Sequence, residues 1–597
     1  MSLLSNTIAS EEHGGSFYNG EVTNSLRVNA GHTLTRAFGA SPTSATTMSF
    51  GGWVKFSDQH YQNFFSATLG GSGVAQGFMR LDDNLKFNVD SYDGSAMFFN
   101  YTTTRVFRDT SAWYHIWVQI DTTDGAAADR VKIYINGVRE TAFDTETQIS
   151  SGSSSVVAWN TNVTHYIGNT NATYALGGYI ADWWFLDGQD VSPIDTVGEF
   201  KNGVFIPKEY SATFGNKGFH LKFIGTGTST SSGSVANPTN IGDDSSGQNN
   251  HWAVTSSGIL SHDANLPDSP ENNFATMNPL VNDYNTNMTL SDGNLVAAHA
   301  SNYNTTLGTM LMTSGKWYWE ITCNDWANYC MMGIARDNAI QYSDSTAYSQ
   351  TGVITYATQG ARYDEGTTAG TYTDFLDAEV IGIALDLDSG TRTFKFYNNN
   401  TLQDTITLGS NFDGYGIVPT FTAGVALTFR VNFGQDGSFA GLLTGDDIGT
   451  ATDGNSIGAF KYAPPSGYLA LCTANLPEPT IGANSGSQAT DHFETVLYEG
   501  NGSTQNIPVN FQPDFTWIKN RDATDAHQLF DSTRLATNVL ESDDSTVEVA
   551  NDDTLTAFIP TGFSLGDDVT VNTGSESYVS WNWKANGGTA TATISES

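Results

Sequence analysis

Positive charge is what this chain has least of. Its 597 residues hold 25 Lys and Arg against 63 Asp and Glu, a formal net charge of −38. A field of that sign repels nucleic acid and anionic membrane surfaces, which argues against both as direct partners. Charged residues of either sign are also few, 15% of the chain against the usual quarter. The acidity therefore comes from missing Lys and Arg and not from acidic runs. Cysteine is nearly absent too, and three cannot build a disulfide framework. Cys323 and Cys330 flank the short stretch Asn324 to Tyr329, either facing each other across a hairpin as a disulfide or, more simply, lying buried as two thiols. No apolar run reaches the length of a signal-peptide core or a membrane span, and the first basic residue is Arg27. Membrane insertion and ordinary export are thereby not expected. Heptads and short-period β-helix repeats are missing as well, so no fibre shaft is expected. The one helix-like stretch is TRLATNVLES at 533–542.

What the chain does have is glycine, 60 of them, and 12% aromatic residues. That combination builds cores from Phe, Tyr and Trp on strands joined by tight turns. In EVIGIALDLDSGTRTFKFYNNN at 379–400, Ile381, Ile383 and Leu385 point one way, as do Phe394 and Phe396 after the Asp388-Ser389-Gly390 turn. Val131, Ile133 and Ile135 alternate in the same manner before Asn136-Gly137. Period two with turn formers at the reversals is the pattern of half-buried antiparallel strands. The expected fold class is all-β: tandem β-sandwich (jelly-roll) modules joined by polar, Pro/Gly/Ser-rich linkers. A surface of Ser, Thr, Asn and Gly is common in extracellular and virion β-proteins.

Two polar stretches punctuated by Asn-Leu-Pro, at Asn265 and Asn475, mark boundaries. They divide the chain into an arm at 1–24, a first module at 25–224, a linker at 225–275, a second module at 276–462, a linker at 463–488 and a third module at 489–597. The reading is of beads on a string. The closing TATATISES is either a frayed end or an added edge strand.

Catalytic constellations are not found. A glucanase strand would alternate Glu, Asp and Glu on one face, with a retaining pair about 5 Å apart. The nearest segment, Asp182-Trp183-Trp184-Phe185-Leu186-Asp187, has an Asp at each end and no Glu, and reads as a core strand. The 11 His form no HExxH, and His165 and His220 read as core or edge residues. No cofactor is called for. Asp82-Asp83, Asp243-Asp244, Asp543-Asp544 and Asp567-Asp568 offer hard oxygen ligands without the spacing of a calcium loop. No metal ligand is assigned from them, and weakly bound calcium is the most they would hold. The binding candidates are aromatic residues expected in loops of the second module: Trp326 and Tyr329, and Tyr363 with Asp364. Exposed Trp and Tyr pair a flat apolar face with a polar tip, which suits sugars and protein hot spots alike. The alternative for Trp326 is a cap on the sandwich.

The first module resembles the laminin G-like, concanavalin A-type jelly roll through SFGGWVKF at 49–56, WYHIWVQIDTT at 113–123, VKIYINGV at 131–138, HYIGNT at 165–170 and GGYIADWWFLDG at 177–188. The second resembles a SPRY domain through GKWYWEIT at 315–322, GIA at 333–335, the 379–397 hairpin, GYGIVPTF at 414–421 and LTFRVNFGQ at 427–435. The third, with FQPDFTWIKNRDATDAHQLFDSTR at 511–534 and YVSWNWKA at 578–585, resembles a module of phage virion proteins. Their order is similar to tail-fibre-like proteins of marine phages. That resemblance implies a non-enzymatic virion subunit, assembled in the host cytoplasm and released by lysis. Its partners would be other virion proteins, a host-surface glycan or protein, and further copies of itself, trimers by analogy. A head fibre or capsid decoration protein and a polysaccharide depolymerase are the alternatives.

Overall fold

The computed structural model describes residues 17–29, 31–68, 75–153, 159–168, 176–210, 213–230, 239–254, 259–281, 288–300, 303–323, 330–339, 347–476 and 488–585. Strands make up 46% of the chain, which settles its class as all-β. The α-helix described is the four-residue Val569–Asn572, N-capped by Asp568, whose carboxylate accepts from Thr570 N at 2.8 Å. The chain divides into two compact units, Met1–Pro477 and Glu478–Ser597.

The first unit opens with a sandwich of two eight-stranded antiparallel sheets. One sheet is centred on Thr47–Phe56 between Trp113–Asp121 and Gly178–Asp187. The other runs from Phe143–Thr147 through Met97–Val106, Lys86–Asp93, Ala75–Leu81, Gln62–Thr68 and Thr164–Ile167 to Leu34–Ala37. Alternate residues of both meet in a core of Phe50, Phe65, Trp159, Trp183, Phe185 and Phe219. Gly51 makes the close sheet contact possible. Its φ is +154°, and a Cβ there would lie 2.0 Å from the Ile116 carbonyl oxygen.

The stretch 225–275 is no linker. Ala253–Val254 pairs with Leu34–Ala37, Ala264–Leu266 pairs with Ser25–Val28, and Trp252 is buried in the core. The arm expected at 1–24 is, over its described part, packed down: Phe17 and Val22 are buried, and Glu271 accepts from Gly20 N and Val22 N at 2.9 and 2.8 Å.

The second sandwich holds an eight-stranded and a six-stranded sheet. The 379–400 alternation forms the hairpin Val380–Asp386 and Thr393–Asn398, with Ile383 opposite Phe396 and Leu385 opposite Phe394, all in the core. Lys316–Cys323 pairs with Val380–Asp386 on one side and Leu427–Asn432 on the other. The 463–488 linker also contributes structure, since Leu469–Ala470 pairs parallel with Lys316–Cys323. All three cysteines are reduced, buried thiols. Lys316–Cys323 belongs to the eight-stranded sheet and Cys330–Arg336 to the six-stranded one, so these cysteines do not face each other across a hairpin. Cys323 Sγ instead donates to the Thr428 carbonyl at 3.0 Å.

Beads on a string is the wrong picture for these two sandwiches. Arg27, wholly buried, donates Nε and Nη2 to Asp263 at 3.1 Å and Nη1 to Asp436 at 2.7 Å. Lys55, also buried, donates to Asp268 at 2.8 Å, to the Asn273 side chain at 2.6 Å and to the Phe274 carbonyl at 3.1 Å. Tyr179 Oη reaches the Gly293 carbonyl at 3.1 Å. Buried ions survive only when paired and hydrogen-bonded, so these contacts fix the first sandwich, the 263–274 stretch and the second sandwich as one body.

The second unit packs a six-stranded sheet on a three-stranded one. The first runs Phe493–Glu499, Ser577–Trp583, Phe515–Asn520, Gln528–Asp531, Asn538–Glu541, Val549–Ala550. The second is Gln505–Pro508, Gly562–Leu565, Leu555–Ile559. The helix expected at 533–542 is not formed. Leu535 and Thr537 sit at φ +78° and +73°, and Asn538–Glu541 pairs as a strand with Gln528–Asp531. Sheet pairing overrides a weak helical preference here. TATATISES lies outside the described residues.

Candidate functional site

Of the four expected binding residues, Trp326 and Tyr329 fall outside the described residues. Tyr363 and Asp364 are described, and they are not in a loop. Both belong to the strand Ala361–Asp364, and the turn follows at Glu365-Gly366, both at positive φ. Tyr363 lies opposite Thr355 and Thr368, while Ile354 and Tyr356 point into the core, so Tyr363 is on the outer face of the six-stranded sheet. Its ring meets Tyr348 at 5.2 Å, and Tyr348 meets Tyr303 at 5.9 Å. Three separate segments thus bring three half-buried tyrosines into one row. Burial raises the Asp364 carboxyl, with Arg362 pulling it back.

A larger aromatic face lies on the second unit. Strands Phe493–Glu499, Ser577–Trp583 and Phe515–Asn520 are in register, so Phe493, Trp583 and Phe515 form one cross-strand row and Thr495, Trp581 and Trp517 the next. Trp583 lies 5.0 Å from Phe493 and 5.1 Å from Phe515, and Trp517 lies 5.6 Å from Trp581. The alternate residues Val496, Tyr498, Ile518 and Tyr578 fill the core on the other side of the sheet. Leu497 extends the face at 64% exposure, beside Phe493 at 40% and Trp583 at 37%. Exposed aromatic side chains in one row make this sheet face a candidate contact surface, because monomeric proteins seldom leave such apolar patches open. The cue in the sequence was Phe515-x-Trp517 and Trp581-x-Trp583. Both faces of these strands are apolar, so alternation alone does not say which is outside.

Asp187, His165 and the aspartate turns are structural. Asp187 is buried and accepts from Thr43 N at 2.7 Å, Lys217 N at 3.0 Å and Asn160 Nδ2 at 3.0 Å, holding loops to the sheet. His165 is a core residue bonded to the Trp159 and Val163 carbonyls at 3.0 Å, its pKa lowered by burial to about 4. Of the aspartate pairs, Asp82 accepts from Asn84 N and Lys86 N, Asp244 from His220 N and Asn250 N, and Asp568 from Thr570 N, so backbone groups occupy these carboxylates. Among the described residues no group of three or more His, Cys, Asp or Glu converges on a metal position.

With this geometry in hand, the comparisons with known proteins are specific about two segments. The SPRY domain family model matches residues 316–436, and the Domain of unknown function (DUF7483) model matches 488–596. The SPRY domain of human HERC1 is 16% identical with a TM-score of 0.22, covering 26% of this chain and 96% of that one. The TRIM65 PSpry domain is 18% identical with a TM-score of 0.22, covering 26% and 91%. Stonustoxin is 19% identical with a TM-score of 0.22, and the match spans only 27% of its length. Curated proteins give no match. On the family match the second sandwich contains a SPRY domain.

Proposed function

We propose that this chain is a bacteriophage virion structural protein, a tail-fibre or spike subunit that recognises a host-surface glycan or protein and assembles with other virion proteins and with copies of itself. The observation that carries the reading is the open aromatic face of Phe493, Trp583, Phe515, Trp517 and Trp581 on the second unit. The tyrosine row of the second sandwich is a second such surface. On the order of its sequence motifs we read the first sandwich as laminin G-like. Recognition on these faces needs stacking and hydrogen bonding and no chemistry. The acidic, Lys- and Arg-poor surface suits a particle protein in high salt.

The test is binding of the labelled, purified chain to a bacterial panel and a glycan array, beside the double variant Trp517→Ala/Trp581→Ala. Saturable binding lost in the variant supports the reading. No binding to any cell or glycan by the folded protein removes it.

A further inference from the structure

One cavity of the first sandwich is not used by any of this. It measures about 170 Å³ and is lined by Asp182, Trp184, Tyr210, Phe214, His220 and Ser245, with Lys208, Lys222, Glu21 and Glu209 the other charged residues around it. It is built on the ladder between Gly178–Asp187 and Phe219–Leu221, where Trp184 lies directly opposite His220. A bulge between Ala181 and Trp184 sends Trp183 into the core and leaves Asp182 and Trp184 outside. Asp182 pays for this with φ +51°, an uncommon conformation for a residue other than glycine.

The polar groups line up in a chain. Asp182 Oδ2 accepts from Trp184 Nε1 at 2.7 Å, and Asp182 Oδ1 is hydrogen-bonded to His220 Nε2. His220 Nδ1 lies 3.0 Å from Ser245 Oγ. The imidazole is 5% exposed and stacks on the Trp184 ring at 3.4 Å, so it is held from its face as well as its edge. Ser245 itself is exposed. A carboxylate on Nε2 fixes the proton there and leaves the Nδ1 lone pair facing the hydroxyl. The two ring nitrogens have exchanged places relative to the familiar serine-hydrolase order, and their roles as bases are chemically the same. The Ser245 hydroxyl hydrogen has two acceptors at 3.0 Å, Nδ1 and the His220 carbonyl, and rotation about Cβ–Oγ selects between them. Tyr210 Oη, in the same cavity, has no hydrogen-bond partner in the protein.

We propose that this cavity is an acyl-ester hydrolase site, with Ser245 the nucleophile, His220 the general base and Asp182 the residue that positions it. Ser245 Oγ bonds to the ester carbonyl carbon while its proton passes to His220 Nδ1 and the carbonyl π pair becomes an oxyanion. Collapse breaks the bond to the alkoxy oxygen, which takes the proton from Nδ1 and leaves as the alcohol. Water then repeats the step through His220, breaks the acyl–Oγ bond and releases the acid, restoring Ser245. Lys222, two residues from His220 along the extended chain, and Lys208 are the cations available to the oxyanion, with Glu21 and Glu209 beside them on the same lining. A cavity this small, walled by Trp184, Tyr210 and Phe214, takes a short acyl group.

The experiment uses the full chain, p-nitrophenyl acetate and a fluorophosphonate probe followed by peptide mapping. Expected are turnover above buffer, labelling at Ser245, and a fall of about 100-fold or more in kcat for Ser245→Ala and for His220→Gln. Ser245 is exposed, so Ser245→Ala should melt as the wild type does. Asp182→Asn should lower kcat and leave KM unchanged, because an amide donor facing Nε2 sends the ring proton to Nδ1 and removes the base. A folded wild type that neither turns over nor labels overturns the proposal. So does wild-type turnover by Ser245→Ala.

Discussion

Arg27 and Asp436 stand 409 positions apart in the chain and meet at 2.7 Å, buried on both sides. Burial alone would lower the guanidinium pKa, and Asp436 with Asp263 more than reverses that, leaving it raised. The pair ties the first strand of one sandwich to the loop that closes the other.

Arg27→Met should cost about 3–5 kcal/mol, because it strands two buried carboxylates without a cation. Chemical denaturation of the full chain measures it. The triple variant Arg27→Met/Asp263→Leu/Asp436→Leu should recover much of the loss, since an apolar trio of similar volume needs no pairing. If Arg27→Met costs under 1 kcal/mol, the clamp is not what joins the sandwiches.

Glu320 gives the SPRY domain a pH dependence. Burial pushes its carboxyl from 4.5 up to about 7, against donors that include Lys461 N and Tyr462 N, each at 2.8 Å. Between those two values the folded protein holds a proton that the unfolded chain has released. Stability is therefore full below about pH 4.5 and is lost as pH rises through about 7, by roughly 3 kcal/mol at the end. Urea midpoints at pH 5 and pH 8 should differ in that sense, and Glu320→Gln should flatten the difference.

Gly333 should not tolerate a side chain. A Cβ there would lie 1.9 Å from the Ile354 carbonyl oxygen on the neighbouring strand. Gly333→Ala should lower stability by about 1–3 kcal/mol, as overpacking does, and a melting curve within error of wild type would contradict this.

On the proposed recognition reading, Trp517→Ala/Trp581→Ala should weaken ligand binding by about 2 kcal/mol or more, close to 30-fold in Kd. The effect on melting should be small, because these rings lie outside the core formed by Ile518, Phe530 and Tyr578. A large loss of stability with unchanged binding would assign the rings to the fold.

On the same proposed reading, adsorption to cells should strengthen as salt rises toward seawater levels. At a formal charge of −38 the protein is repelled by an anionic envelope, and about 0.15 M salt already shortens that repulsion to about 8 Å. Strongest adsorption in low salt without calcium would refute the electrostatic argument.

Strands with one clear apolar face were readable from the sequence: Ile381, Ile383, Leu385, Phe394 and Phe396 all reach the core as their alternation implies. The polar stretch 225–275 was not, because its order comes from partners far away in the chain. Asp263 answers Arg27 and Asp268 answers Lys55, and composition carries no trace of either pairing. Tyr363 reads as a loop residue from the sequence, since a short strand ending in Asp-Glu-Gly looks like a turn from its end. Asp182 reads from the sequence as the end of a core strand, because no second carboxylate follows it at strand spacing. Its actual neighbours, His220 and Ser245, arrive from elsewhere in the chain by sheet pairing and a turn.

The Lys55 cage bears on how such proteins can be recombined. Asp268, Asn273 and the Phe274 carbonyl belong to what composition would offer as a cutting point, yet they satisfy a lysine of the preceding sandwich. A chimaera that transplants the SPRY domain from residue 276 onward would carry Asp436 into its new host without Arg27 and leave Asp263 and Asp268 behind. The unit that keeps these ion pairs together is Met1–Pro477, and grafting schemes should keep it whole.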